Sequence, residues 1–238
     1  MFAKLITGKS HIKNNEVCQD NWRAHYSINN KLTILVLSDG AGTSKKSNIG
    51  SKIICEEIIN ECSNYTIKEI NEKEWWIQLI KNVHHDILNK DKNNNLQDYR
   101  ATLLVAIISH EENLLLTTHI GDGYILALDE IDAHIISEPS NGEYAEQTYF
   151  FTQNDFEQNL RIYNHELTKY KYIMLSSDGL EPILIKNKKP FEGFFKPVIK
   201  FLINEENDIK IYGALSASIK KGYETACIDD VSIILHEI

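Results

Sequence analysis

The sequence predicts an α+β fold in which helices pack outside a mostly antiparallel sheet system. Three observations predict it. Apolar runs of strand length recur from one end of the chain to the other. Two amphipathic helical stretches interrupt them early, and two more precede a final strand. No linker-like stretch divides the 238 residues, so a single domain over 1–238 is expected.

The elements follow in order. Residues 2–7 form a short strand. Asn21–Ile28 pairs with Leu32–Leu37 across Asn29-Asn30, since Asn tolerates the positive φ of a tight turn. The run Thr33–Leu37 shows no polar alternation, which predicts a strand buried on both faces. Ser47 is the expected N-cap of the first helix. There Ile54, Cys55, Ile58, Ile59 and Cys62 share a face opposite Glu56, Glu57, Asn60 and Glu61. A second helix fits 72–89, with Trp76, Ile80, Val83 and Ile87 on one stripe, and 90–95 reads as an exposed loop. Strands over Ala101–Ser109 and Asn113–Thr118 flank Glu111-Glu112, and Tyr124–Leu128 with Ala133–Ile136 continue the sheet. Residues 137–170 carry no clear period. Tyr172–Ser176 is a strand, 191–203 and 208–220 are helical, and Val231–His236 is the last strand.

Composition narrows the function. Hydrophobic residues make up 42% and charged residues 25%, the balance of a globular protein with a self-sufficient core. The formal net charge is −9, and no basic run exceeds a pair such as Lys188-Lys189, which argues against nucleic acid or an anionic membrane as partner. No apolar stretch has the length of a signal h-region or a membrane span. Cys18, Cys55, Cys62 and Cys227 form no CxxC, so reduced thiols in a cytoplasm are expected.

Aspartates recur where apolar strands end: Asp39-Gly40, Asp122-Gly123, Asp178-Gly179 and Asp229-Asp230, with Asp20 opening a strand. One Asp-Gly is simply a turn. Several carboxylates anchored on rigid strand ends, with a glycine carbonyl free to approach, make an all-oxygen site suited to Mg²⁺ or Mn²⁺ rather than Zn²⁺.

The ordered set resembles the metal-dependent protein phosphatases of the PP2C type. The segments are Gln19-Asp20, Asp39-Gly-Ala-Gly42, Ala101-Thr102-Leu103, Gly121-Asp122-Gly123, Ser177-Asp178-Gly179 and Asp229-Asp230-Val231-Ser232. Gly8-Lys-Ser-His11 with Cys18-Gln19-Asp20, and Asn141-Gly-Glu-Tyr-Ala145 with Thr148-Tyr-Phe, resemble a bacterial subfamily, and heavy use of Ile, Asn and Lys suits an AT-rich genome. The resemblance implies a four-layer α/β/β/α sandwich with a two-metal site between the sheets. It implies that Asp39 bridges both metals, that the Gly40 carbonyl binds one, and that Asp178 and Asp229 hold the other. Asp20 would ligate a metal or orient a metal-bound water, and Asp122 would hold a third ion. The water between two cations would attack phosphorus in line.

Two departures from that pattern matter. Gln19 stands where the family usually has Glu, and it brings no charge. Ala41 replaces the His thought to protonate the leaving alkoxide, a loss worth on the order of 10²–10⁴-fold. The family's early phosphate-holding Arg is not evident in this sequence, and Ser10 and His11 stand in its region. His11 with Ser10 is therefore the candidate phosphate-binding or proton-donating pair, against the plainer reading of a histidine hydrogen-bonded within the N-terminal strand.

Other residues have plainer readings. His84-His85 and His119 lack a third ligand at fixed spacing, so packing or surface placement is expected. Trp75-Trp76 covers the sheet with one ring inside. Cys18 and Cys227 read as small buried thiols, and Lys186, Lys188 and Lys189 as a solvated loop. Asn141–Phe151 is expected to form a flap beside the cleft. The expected activity is hydrolysis of phosphoserine or phosphothreonine on a protein, by a monomer without nucleic-acid or membrane partners. The rivals are a pseudophosphatase-like phosphoprotein-binding module and a phosphatase of a small phosphorylated metabolite.

Overall fold

Each central strand carries apolar side chains on both faces, and two sheets and two helical layers cover those faces. In the computed structural model, which describes residues 1–90, 95–140 and 148–238, the elements run as follows. The first part holds β1 (Phe2–Ile6), α1 (Lys9–Asn14), β2 (Asn21–Ser27), β3 (Leu32–Ser38), α2 (Ser47–Cys62), α3 (Ile67–Ile70) and α4 (Lys73–Lys90). The middle holds β4 (Leu103–Ser109), β5 (Leu114–Ile120), β6 (Tyr124–Leu128), β7 (Ala133–Ser137), α5 (Phe156–Asn159), β8 (Arg161–Glu166) and β9 (Tyr172–Ser176). The last part holds α6 (Glu181–Leu184), β10 (Ile185–Lys186), β11 (Lys189–Pro190), α7 (Glu192–Asn204), α8 (Asp208–Ala226) and β12 (Val231–Glu237).

Two five-stranded sheets result, ordered β1-β12-β9-β6-β7 and β2-β3-β4-β5-β8, with every neighbouring pair antiparallel. Strand side chains alternate between faces. Leu35, Leu37, Leu104 and Ala106 therefore meet Ile125, Ile173, Leu175 and Ile234 in a core between the sheets. The opposite faces of β3 and β4, with Ile34, Val36, Leu103 and Val105, pack under Ile54 and Ile58 of α2 and Trp76 and Ile80 of α4. Leu126, Met174 and Ile233 pack under Ile199 and Leu202 of α7 and Leu215 and Ile219 of α8. The expected four-layer sandwich is the observed one, and unbroken apolar strands are what two covered faces require.

Register decides where the aspartates go. Asn21 pairs with Ser38, so Asp20 and Asp39 emerge side by side. Tyr124 pairs with Ser176, and Ser176 with Ile233, so Asp122, Asp178 and Asp229 leave the other sheet at one end.

Several details differ from expectation. The Gly8-Lys-Ser-His segment is helical and buries His11, because residues 9–14 close one turn and a half before Asn15 stops them in the left-handed region at φ 57°. Lys31, at φ 52°, supplies the positive φ of the β2–β3 turn instead of Asn29 or Asn30. The N-cap of α2 is Lys46, and Ser47 is its first helical residue. In the unreadable stretch lies β8, an edge strand whose partial exposure removes the usual alternation. Helix α8 extends to Ala226, six residues past the expected end. Trp76 is fully buried, donating its indole N–H to the Ile70 carbonyl at 2.7 Å, while Trp75 is half-buried. Most of the 90–95 loop and residues 141–147 of the expected flap lie outside the described residues.

Leu175 is fully buried between the sheets. Leu175→Ala is expected to destabilise the protein by about 2–5 kcal/mol, a fall in Tm of about 2–4 °C per kcal/mol, measured by calorimetry.

Candidate active site

Asp39 follows β3 directly. Its backbone N–H donates to Thr102 Oγ1 (2.9 Å), its carbonyl accepts from the Thr102 N–H (2.8 Å), and the Ala41 N–H donates to the Arg100 carbonyl (3.0 Å). These bonds bracket Gly40, where a Cβ would stand 2.6 Å from the Gln19 carbonyl oxygen, so only glycine allows the two chains to approach. On the other sheet, a Cβ at Gly179 would stand 1.9 Å from the Asp230 carbonyl, which ties the Asp178 turn to the start of β12.

Asp20, Asp39, Asp122 and Asp178 share this end of the sandwich with Asp229 and Asp230, and the electrostatics of the first four show it. Burial, then the charges of Asp20, Asp178 and Asp122, hold the Asp39 carboxyl well above the usual carboxylate range. Asp178 is pushed up to about 6 by burial and then by Asp122, with Asp229 adding to it. Asp122 is raised by burial and by Asp229, against a hydrogen bond from Thr148 Oγ1 that favours its ionised form. Asp20 is pushed up to about 7, chiefly by burial. Asp39 and Asp178 act on each other directly, Asp178 raising the Asp39 carboxyl and Asp39 lowering that of Asp178.

Asp20 is 2% exposed, and neither of its oxygens has a hydrogen-bond partner of good geometry among the described residues. The Ser232 hydroxyl, the Asp39 carboxyl and the Ser177 hydroxyl stand near enough to favour its ionised form. A buried carboxylate without partners is costly. The donor set is oxygen throughout, which fits Mg²⁺ or Mn²⁺. Among the described residues no three His, Cys, Asp or Glu side chains are already gathered around one point. The acids are thus coupled through charge without closing on a common centre.

Asp230 contrasts with Asp20. It is 3% exposed, and it accepts from the backbone N–H of Gly8 (2.5 Å) and Gln19 (2.6 Å). His11 Nδ1 lies 2.9 Å from Asp230 Oδ1, an ion-pair contact with off-axis geometry, and its Nε2 lies 3.7 Å from Glu16. Burial disfavours the charged imidazole, but Asp230, Asp229 and Glu16 together raise its pKa. Ser10 is exposed on α1, and Asp229 is exposed at the start of β12. The Gln19 amide oxygen accepts from Ser47 Oγ (2.8 Å), so this side chain braces α2.

The sequence reading missed Asp230, Thr102 and Thr148 as organising groups. The Asp-Asp doublet held a signal: neighbours on an extended chain face opposite ways, so one of the two points away from its neighbour's side. The remaining histidines take packing or surface places. His119 is buried with Nδ1 2.7 Å from Ser137 Oγ, His84 Nε2 contacts the Phe151 carbonyl (2.7 Å), and His85 is exposed. Burial pushes the Cys18 and Cys227 thiols up, which keeps them protonated. Lys186 and Lys189 belong to an exposed hairpin, β10–β11.

Solved structures share this architecture. A bacterial serine phosphatase superposes with a TM-score of 0.72 at 19% identity, over 100% of this chain and 98% of that one. Serine/threonine phosphatase Stp1 from Staphylococcus aureus gives 0.71 at 17%, over 100% and 95%. The catalytic domain of the serine/threonine protein phosphatase PstP, solved with two manganese ions, gives 0.70 at 14%, over 99% and 96%. No curated protein sequence matches the chain. The sequence profile of protein phosphatase 2C matches residues 7–220. The chain belongs to that family.

The raised carboxyls determine a pH dependence. Each has a folded pKa above its unfolded value near 4, so the folded state binds more protons than the unfolded one in that window. In chelator, stability is therefore expected to fall as pH rises from about 4 to 7. Asp39→Asn is expected to raise Tm in chelator at pH 7.5 by at least about 2–4 °C, equivalent to ~1 kcal/mol, and to gain little at pH 4. Calorimetry at the two pH values checks this.

Proposed function

We propose that this phosphatase acts on phosphoserine and phosphothreonine of proteins with two divalent cations, Mn²⁺ or Mg²⁺, at the acidic end of the sheets. The observation that carries the reading is the Asp20 carboxyl, buried with no hydrogen-bond partner of good geometry among the described residues, next to an Asp39 carboxyl that burial and the charges of Asp20, Asp178 and Asp122 raise. Asp39 would contact both ions, the Gly40 carbonyl one, and Asp178 with Asp229 the other. Asp20 would ligate or orient a water, and Asp122 would hold a third ion. When bound, such ions acidify a water for in-line attack and neutralise charge on the phosphoryl group.

This chain's own residues then have separate tasks. Asp20 would accept a hydrogen bond from the attacking water, since neither of its oxygens has a partner of good geometry among the described residues. Ser10, exposed on α1, would contact the phosphate. His11, whose positive charge Asp230 favours, would sit behind it or supply the proton that Ala41 cannot. The reading includes a bacterial cytoplasm, which four free cysteines suit, a phosphoprotein partner and a monomeric chain. Among the described residues no helix is long and apolar enough to cross a membrane. The second reading, a phosphoprotein-binding module with slow turnover, draws support from Ala41 and from Gln19 being turned to Ser47.

Hydrolysis of a phosphothreonine peptide is expected with Mn²⁺ and not with chelator, and Asp39→Asn is expected to reduce it by at least ~10³-fold. A folded wild type that binds Mn²⁺ and the phosphopeptide without turnover would establish the binding module instead. A small phosphorylated metabolite turned over in place of peptides would replace the substrate class. In the same assay His11→Ala is expected to lower turnover about 10²-fold or to weaken phosphate inhibition; no change in either removes His11 from the site.

A further inference from the structure

We infer that Asp230 is a positioning residue: it straps the segment from Gly8 to Asp20 onto the start of β12, and so sets where Asp20 stands relative to Asp229. The inference rests on the two-cation reading above and adds a role for an acid which that reading leaves idle.

Asp20 and Asp230 are both almost wholly buried, and they are opposites. Neither Asp20 oxygen has a hydrogen-bond partner of good geometry among the described residues. Asp230 is surrounded by donors: Oδ1 takes the Gly8 N–H and lies beside His11 Nδ1, and Oδ2 takes the Gln19 N–H. A carboxylate whose oxygens accept short, charge-assisted bonds from the backbone is held by the protein and has little capacity left to bind a cation. The two bonded amides belong to residues 8 and 19, the two ends of the strap, so one side chain closes an eleven-residue excursion containing α1.

The Gln19 end is fixed from every side. Its N–H goes to Asp230, its carbonyl accepts from Ser51 Oγ (2.5 Å), and its amide oxygen accepts from Ser47 Oγ. Asp20 is the next residue, so its Cα has little freedom. At the other end the Lys9 N–H donates to the Ile228 carbonyl (2.9 Å), one residue before Asp229. Asp230 is itself covalently next to Asp229. It thereby links an acid from the edge of one sheet to an acid from the other sheet through two direct backbone hydrogen bonds. Groups that orient ligands without touching the ion typically change its affinity 10–100-fold when removed.

The test combines Mn²⁺ calorimetry with amide hydrogen exchange on the whole chain, comparing wild type, Asp230→Ala and Asp230→Asn. Asp230→Ala is expected to speed exchange at Gly8 and Gln19 at least about ten-fold, with β9 and β12 unchanged, and to weaken Mn²⁺ binding about 10–100-fold. Asp230→Asn keeps one acceptor and is expected to fall between; it carries the test if Asp230→Ala does not fold. A purely structural residue would lower Tm without altering Mn²⁺ affinity of the protein that remains folded, and that result overturns the inference. Unchanged strap exchange with lost Mn²⁺ affinity also overturns it, by making Asp230 a ligand. A wild type that binds no Mn²⁺ would sink the two-cation reading, and the exchange measurement alone would then decide whether Asp230 holds the strap.

Discussion

Crowded negative charge at one end of two packed sheets is the constraint on which the rest of this molecule depends. Asp20, Asp39, Asp122 and Asp178 are all held above the usual carboxylate range, with burial the leading cause in each. Such an arrangement is unfavourable on its own terms. It persists because rigid elements over-determine it: backbone bonds to Thr102 lock Asp39, and close glycine contacts lock the turn at Asp178. The destabilising end of the sandwich is the end at which the chemistry is proposed, the usual exchange of local stability for function.

The remainder of the fold supplies the stability that permits this. Its apolar strands feed three cores, one between the sheets and one under each helical layer. Because the central strands are covered on both faces, a one-residue slip would exchange the residues of the core between the sheets with those under the helices. The same register aligns the strand ends, so core packing and site geometry are consequences of a single alignment.

Buried polar groups at the site divide into two kinds. Asp230 and the Gln19 backbone have their bonds met inside the protein and act as fasteners. The Asp20 oxygens do not, which marks them as groups awaiting a partner. The difference lies in hydrogen-bond satisfaction rather than in residue type or burial, since both acids are carboxylates and nearly inaccessible. Ala41 and Gln19 show the same logic from the other side: one offers no proton, and the other spends its amide oxygen on Ser47.

Strand and helix identities were legible in the sequence wherever apolar residues kept one period. The stripe on α4 and the face of α2 are buried as their spacing indicates, because helical periodicity is a local property. The aspartates at strand ends were legible too, as residue types in an order that resembles one family. Legibility stopped at β8 and α1, whose sequences lack a period because the first is an exposed edge and the second a single turn and a half. Only the tertiary structure decided which of Asp229 and Asp230 is buried among donors, what occupies the Gln19 amide, and that acids from two sheets share one field. Those outcomes depend on contacts between residues as far apart as 8 and 230, and no local pattern encodes a hydrogen bond across that separation.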